Sequence, residues 1–115
     1  MNIEDFRAYC LSKKETSEGT PFGPDALVLK VCGKMFALCD IENFVSINLK
    51  CEPERAMELR EQYSGIQPGY HMSKKHWNTV MMDATVPLNL VRQMIDESYA
   101  LVVKSLTKKE REKLA

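Results

Sequence analysis

The segment from Gln62 to Met82, QYSGIQPGYHMSKKHWNTVMM, carries the residues of this chain that are best suited to bind a ligand. It contains the only tryptophan and both histidines, together with Lys74 and Lys75, and it has no acidic residue. The rings can stack on a partner, and no carboxylate in the segment cancels the charge of the two lysines. This composition favours an anionic partner. Taken one by one, the tryptophan and the tyrosines are more typical of core or loop packing.

Catalytic and metal-binding chemistry find little support in the sequence. It contains no GxSxG, HExxH, P-loop or GxGxxG motif. His71 and His76 are five residues apart, which matches neither one face of a helix nor one face of a strand. The four cysteines form no CxxC pair and no cluster of zinc-finger spacing. We therefore expect no enzymatic activity, no metal site and no cofactor, and four reduced, mostly buried thiols.

The size and the charge balance limit what the chain can do. With 115 residues, of which 44% are hydrophobic, it can close one core, so we expect a single domain over residues 1–115. Sixteen basic and sixteen acidic side chains cancel, and binding to nucleic acid would therefore depend on where the charges lie. No apolar run approaches the roughly 20 residues that cross a bilayer, and the N-terminus has no signal-peptide pattern. These features predict a cytoplasmic protein without a membrane partner.

Four helices are predicted to support the binding segment. Asn2 can cap a first helix, and Pro53 fits the first turn of a second. Pro87 opens the longest helix, whose apolar residues recur at spacings of three and four for about five turns. Thr107, with an acidic residue three positions later, has capping-box spacing for a short charged helix.

A type II′ hairpin is predicted around the dipeptide Gly33-Lys34, because a two-residue loop with glycine first favours that turn. In the resulting register Val31 lies opposite Phe36. Every second residue of each strand is then predicted to lie on the buried face of the hairpin. These residues are Leu27, Leu29, Val31, Phe36 and Leu38.

The remaining strands complete a sheet. A short edge strand precedes the hairpin, residues 44–50 alternate with Val45, Ile47 and Leu49 inward, and residues 77–82 form a further strand. We therefore predict an α+β fold, a two-layer sandwich in which an antiparallel sheet is covered on one face by helices.

The same register predicts that the charges are unevenly distributed. Lys30 and Lys50 point away from the core and Lys34 lies on the hairpin tip, whereas most acidic residues lie on helices or end loops. A local positive field can therefore exist on a neutral molecule. The alternative is structural, since lysines on exposed strands also discourage pairing between sheet edges.

Five pieces of the sequence resemble the MmcQ/YjbR-like family of small bacterial proteins. They are PFG at 21–23, VCGKMFA at 31–37, INLKCEPERAMELRE at 47–61, PGYHMSKKHWNTV at 68–80 and SYALVV at 98–103. This resemblance spans nearly the whole chain. It implies a frataxin-related, CyaY-like sandwich and a "double wing" in which a sheet and its hairpins lie on DNA. It does not extend to iron binding of the frataxin type, because the first helix has only Glu4 and Asp5 where such proteins have an acidic ridge.

Two hypotheses for the working surface follow. In the first, the outer sheet face, the hairpin tip and the aromatic loop bind DNA in a salt-dependent manner. The residues predicted for it are Lys30, Lys34, Lys50, Lys74, Lys75, His76 and Trp77. In the second, the loop forms a pocket for a small ligand or a protein partner. The residues predicted for that pocket are Tyr70, His71, Trp77 and Asn78.

Overall fold

The structure, a computed structural model, describes residues 1–70 and 72–115. These residues form four helices and six strands. In chain order they are α1 (Ile3–Leu11), β1 (Thr16–Gly19), β2 (Ala26–Val31), β3 (Lys34–Asp40), β4 (Ser46–Lys50), α2 (Pro53–Gln62), β5 (Ile66–Pro68), β6 (Trp77–Met81), α3 (Leu88–Lys104) and α4 (Lys108–Glu112). Asn2 caps α1, as predicted, and Thr107 caps α4 with the capping box that its spacing predicted; Asn2 also forms a capping box, with Asp5.

All six strands form one antiparallel sheet in the order β1-β2-β3-β4-β6-β5. Helix α3 packs across β2, β3 and β4, while α1 lies against β1 and α2 against β5. The predicted α+β sandwich, with helices covering one face of the sheet, is confirmed. Strand β5 was not predicted, because it is only three residues long and ends at the proline of a Pro-Gly pair. Within the described residues, no helix has the length and apolar character needed to cross a bilayer.

The core fills the space between the sheet and the helices. The rings of Phe6 and Phe44 lie 5.5 Å apart, and the rings of Phe36 and Tyr99 meet edge to face at the same separation. Helix α3 contributes most of the helical part of the core, with a buried stripe at helical spacing. Its buried residues are Val91, Met94, Ile95, Ser98 and Val102.

The β2–β3 hairpin turns one residue earlier than the sequence predicted. Cys32 and Gly33 form the turn, with φ values of 48° and 80°, as in a type I′ turn. Val31 therefore pairs with Lys34, which is the first residue of β3. The predicted type II′ turn at Gly33-Lys34 is wrong because Cys32 adopts a left-handed conformation that cysteine rarely takes.

A β-bulge at Phe36 changes which side chains of β3 face the core. The register between β2 and β3 shifts after Leu29, and Phe36 is the extra residue on β3. Ala37 and Cys39 are buried against the helices. Leu38, which was predicted to face the core, lies instead on the outer face of the sheet and is half-buried.

The hydroxyl of Ser98 spans the point where the bulge interrupts the pairing of β3 with β4. Its Oγ donates a hydrogen bond to the Phe36 carbonyl at 2.6 Å and accepts one from the Lys50 N–H at 2.9 Å. Ser98 is fully buried, so a side chain of α3 satisfies two backbone groups that the sheet ladder leaves open. This contact fixes α3 on the strand that carries Lys50.

Two apolar residues predicted for the core lie at the surface. Val45 is 52% exposed, because β4 begins only at Ser46 and Phe44 turns the chain with a φ of 47°. Leu88 is 42% exposed at the first position of α3. Both residues lie where the chain enters an element, at the same end of the sheet.

Candidate nucleic-acid interface

The sheet brings the predicted lysines together at one end. The β2–β3 turn, the C-terminal end of β4 and the N-terminal end of β6 all lie at that end, since neighbouring strands are antiparallel. Lys34 begins β3, Lys50 ends β4, and Lys30 lies one residue before the end of β2. We call this region, with the loop of residues 69–76, the lysine end of the sheet.

Lys50 and Trp77 are cross-strand partners on the outer face of the sheet. The next outward pair is Asn48 and Thr79, whose Oγ1 donates a hydrogen bond to Asn48 Oδ1 at 2.6 Å. That hydroxyl oxygen also accepts a hydrogen bond at 3.0 Å from the backbone N–H of Tyr70. The start of the loop is therefore tied to the outer face, beside the Lys50–Trp77 pair, and Trp77 is half-buried there.

Arg60 of α2 fixes the second half of the loop. Its Nη2 donates hydrogen bonds to the Trp77 carbonyl at 3.1 Å and to the Lys74 carbonyl, and its Nε donates to Asn78 Oδ1 at 2.7 Å. The ammonium of Lys74 donates to the Gly69 carbonyl at 3.2 Å, which closes the loop on itself. Lys74 and Lys75 are exposed in a loop whose backbone is held at several points. Sequence reasoning missed Arg60, because no local spacing links it to this loop.

The side chain of His76 is exposed, while its backbone carbonyl accepts a hydrogen bond at 2.8 Å from the N–H of Cys51. This bond joins the end of the loop to the residue that follows β4, beside Lys50. His71 lies outside the described residues, so its part in the pocket hypothesis stays a prediction. The DNA hypothesis names six residues besides Trp77, and all six present charged or polar side chains at or near the lysine end.

Helix α4 adds basic residues to the lysine end that the sequence analysis did not assign to it. The thiol of Cys32, in the hairpin turn, lies 3.8 Å from the Glu110 carbonyl of α4. The pKa of Glu110 is lowered chiefly because the Thr107 backbone N–H donates to its carboxylate, with a smaller contribution from Lys34. The exposed or half-exposed basic residues near this helix are Lys104, Lys108, Lys109, Arg111 and Lys113.

The opposite end of the sheet has the opposite charge. Three loops lie there side by side, over residues 20–25, 41–45 and 82–87. They carry Asp25, Glu42 and Asp83 and contain no lysine or arginine. We call this region the acidic end. The molecule is neutral as a whole, but the three loops of this end hold only acidic charges. The acidic residues that remain near the lysine end are Glu15, Glu52, Glu110 and Glu112.

The geometry around Asn78 bears on the pocket hypothesis. Asn78 is fully buried on the helix side of the sheet, and its amide is engaged by Arg60. Tyr70 is 68% exposed. A cavity of about 250 Å³ opens between α2 and α3, where it is lined by Cys51, Arg55, Glu97 and Leu101 among others. A pocket lined by Tyr70, Trp77 and Asn78 stays a prediction.

Nucleophilic and metal chemistry have no evident centre in the described part of the chain. The cysteines are free thiols, and burial raises the pKa of Cys10 and Cys39 to about 12 and that of Cys51 to about 11. Buried thiols with raised pKa values are protonated at neutral pH and react slowly. Among residues 1–70 and 72–115, no three histidine, cysteine or acidic side chains are grouped so that they could hold a metal ion.

Comparisons with known proteins identify relatives along nearly the whole chain. The YjbR family model matches residues 11–101. The Escherichia coli K12 protein named "Uncharacterized protein YjbR" is 32% identical over 115 residues, covering 99% of this chain and 98% of the relative. The E. coli O157:H7 protein named "Uncharacterized protein YbdF" is 38% identical over 95 residues, covering 82% of this chain and 78% of the relative.

Two solved structures share the fold. The crystal structure of Deinococcus radiodurans protein DR2400, which carries a DUF419 domain, has a TM-score of 0.92 and 41% identity, covering 98% of this chain and 87% of that one. The crystal structure of a Pseudomonas syringae protein has a TM-score of 0.74 and 30% identity, covering 88% of this chain and 98% of that one. The overall fold is thus shared with these two bacterial proteins.

Proposed function

This chain belongs to the YjbR family, and we propose that it is a non-enzymatic DNA-binding protein whose lysine end contacts the phosphate backbone of a duplex. The observation that carries the proposal is the placement of Lys34, Lys50, Lys74 and Lys75 at one end of the sheet, where Lys50 is the cross-strand partner of Trp77. Ammonium groups gathered at one end of a molecule raise the local concentration of a polyanion even when the net charge is zero.

The fixed backbone of the loop also supports this function. Arg60 and the Lys74 side chain hold the loop carbonyls, so the loop loses little conformational freedom when its lysines meet phosphates. The double-wing geometry implied by the family resemblance stays a prediction, and in it the β2–β3 hairpin and the loop of residues 69–76 would be the two projections that lie on DNA.

Binding is expected to be weak and strongly dependent on salt. About five phosphate contacts predict that log affinity falls against log salt with a slope of about −4 to −5. Fluorescence anisotropy with a labelled duplex of about 20 base pairs, titrated at several salt concentrations, measures this slope. A slope near zero would exclude phosphate contacts by the lysine end, whatever the affinity.

Charge-reversal variants locate the contact. Lys34→Glu, Lys50→Glu and Lys75→Glu are each expected to weaken binding by about fivefold or more at low salt. Arg92→Glu is the matched control, because it makes the same change of charge on an exposed residue in the first half of α3. If all four variants lose affinity equally, the protein binds through its overall charge and the assignment to the lysine end is wrong.

The double variant Lys74→Glu/Lys75→Glu separates this function from the pocket hypothesis. It should abolish retention on DNA if phosphate contacts dominate. A ligand or protein partner that still binds this variant, but is lost after Tyr70→Ala, would favour a pocket beside the loop instead.

A further inference from the structure

We propose that the acidic end is a docking surface for a basic, amphipathic helix of a partner protein. The exposed apolar side chains of the molecule concentrate there. Of the seven large hydrophobic residues exposed in the described chain, four belong to this end, with exposures of 37–69%. They are Phe22, Ile41, Val45 and Leu88.

These side chains lie on loops that touch each other. The Ile41 N–H donates to the Asp25 carbonyl at 3.0 Å, which joins the loop of Phe22 to the loop of residues 41–45. The Met82 N–H donates to the Val45 carbonyl at 2.9 Å, which joins that loop to residues 82–87. The three loops therefore lie in a row across neighbouring strand ends; the first two carry Phe22, Ile41 and Val45, and Leu88 follows the third as the first residue of α3. A row of this kind, bordered by polar residues, is typical of an interaction site.

The middle loop of the row is held in place before any partner arrives. The carboxylate of Asp40 accepts hydrogen bonds from the backbone N–H groups of Val45 at 3.0 Å and Ser46 at 3.4 Å. The ring of Phe44, the residue before Val45, packs on Phe6 in the core. Val45 is thus presented outward by a loop with little freedom to lose, which lowers the entropic cost of binding.

A cavity at the end of the row can receive an apolar anchor residue. Its volume is about 260 Å³, and its lining includes Met1, Met81, Met82, Val86 and Leu88, with Asp83 at the side. Methionine side chains are flexible and polarisable, and they adapt to the shape of an inserted residue. The carboxylate of Asp83 accepts hydrogen bonds from the Thr85 N–H and hydroxyl, which lower its pKa and keep it ionised beside the cavity.

Charge and geometry together select the partner. Asp25, Glu42 and Asp83 border the row, and the three loops contain no basic residue, so a segment with lysine or arginine beside its apolar residues is complementary. The surface is built from loops at strand ends and offers no free strand edge, which favours a helix laid across it over an added strand. Docking of a second copy through its lysine end would be a head-to-tail contact, which forms rings if the rotation closes and open filaments if it does not.

A labelled peptide of about 16 residues, an amphipathic helix of leucine and lysine, is a suitable probe, with a leucine and glutamate peptide as its matched control. The wild-type protein should bind the first peptide and not the second. Phe22→Ser/Val45→Ser should weaken binding by about tenfold or more, and Glu42→Lys should weaken it further at low salt. Met57→Ser, at a residue of α2 that is 60% exposed and lies outside the row, should leave binding unchanged.

Three results would overturn the proposal. They are equal binding of both peptides, no binding of the lysine peptide, and unchanged binding after Phe22→Ser/Val45→Ser. Sedimentation tests whether the surface binds a second copy of the chain instead. If the wild-type protein self-associates and Phe22→Ser/Val45→Ser does not, the occupant is another copy of the chain and not a partner helix. The variant Lys74→Glu/Lys75→Glu should bind the peptide like the wild type, so this inference and DNA binding can fail independently.

Discussion

Arg60 of α2 donates a hydrogen bond from Nε to Oδ1 of the fully buried Asn78 of β6 at 2.7 Å. The same guanidinium donates to the Lys74 carbonyl in the loop of residues 69–76 and to the Trp77 carbonyl at the start of β6. One side chain therefore joins the interior of the sandwich to the backbone of the proposed DNA-binding loop. The Nδ2 of Asn78 has no hydrogen-bond partner within the described residues, so the buried amide is held through its Oδ1 by Arg60. Stability and loop conformation are expected to change together when this contact is removed.

Arg60→Met is predicted to destabilise the protein by about 1–3 kcal/mol, because it leaves Asn78 Oδ1 buried without a donor. The Lys74 and Trp77 carbonyls also lose their donor, so amide protons of the loop should exchange faster. Urea unfolding measures the first effect and hydrogen exchange the second.

The double variant Arg60→Met/Asn78→Leu tests the cause. Replacing both polar partners by apolar groups removes the buried unsatisfied amide, so part of the lost stability should return while the loop remains fast in exchange. Arg92→Met is the control for the loss of an arginine and should cost little, because Arg92 is exposed. Equal destabilisation by Arg60→Met and Arg92→Met would mean that the contact with Asn78 contributes nothing.

Ser98→Ala is predicted to cost about 1–3 kcal/mol, although it removes one oxygen atom. The Phe36 carbonyl loses its donor and the Lys50 N–H loses its acceptor, both at the bulge that the Ser98 hydroxyl spans. Ser105→Ala is the matched control, because the Ser105 hydroxyl donates only to the Val102 carbonyl of its own helix and Ser105 is exposed. Thermal unfolding should separate the two variants, and similar melting temperatures would contradict the role given to Ser98.

Periodicity predicted most elements, because the helix stripes and the alternation in β4 record which face is buried. It could not predict the register of the hairpin. A two-residue turn can be placed at Cys32-Gly33 or at Gly33-Lys34 with the same sequence of apolar residues, and either turn keeps Phe36 on the buried face. The bulge at Phe36, which has no signal in the alternation, is what moves Leu38 to the outer face, and it does so without disturbing the predicted fold.

Only the part of the candidate site that is local in sequence could be predicted. Lysines and aromatic residues that are neighbours in sequence, such as Lys75 and Trp77, can be recognised from composition alone. Arg60 reaches the loop only because α2 packs beside β5 and β6, and α4 reaches Lys34 only because α3 ends beside the hairpin. Contacts of this kind arise from the packing of whole elements and leave no local pattern in the sequence.

The buried thiols predict how stability changes in alkali. Burial raises the pKa of Cys10 and Cys39 from about 9 to about 12, so the folded state holds these protons more tightly than the unfolded chain. Their contribution to stability is complete below about pH 9 and is lost as the pH rises toward 12. In urea unfolding, Cys10→Ala should lose less stability than the wild type between neutral pH and about pH 10.5. An identical loss in both proteins would show that Cys10 does not titrate on unfolding.

The last prediction separates backbone conformation from side-chain crowding. A Cβ added at Gly33 or at Gly19 meets no atom within 4 Å, but only Gly33 has a positive φ, of 80°. Gly33→Ala should therefore cost about 1–2 kcal/mol through backbone strain alone, and it should also disturb the hairpin tip that presents Lys34. Gly19→Ala should be neutral or slightly stabilising, because alanine restricts the unfolded chain more than glycine does. Urea unfolding of the two variants checks this, and a cost at Gly19 equal to that at Gly33 would rule out the type I′ conformation as the cause.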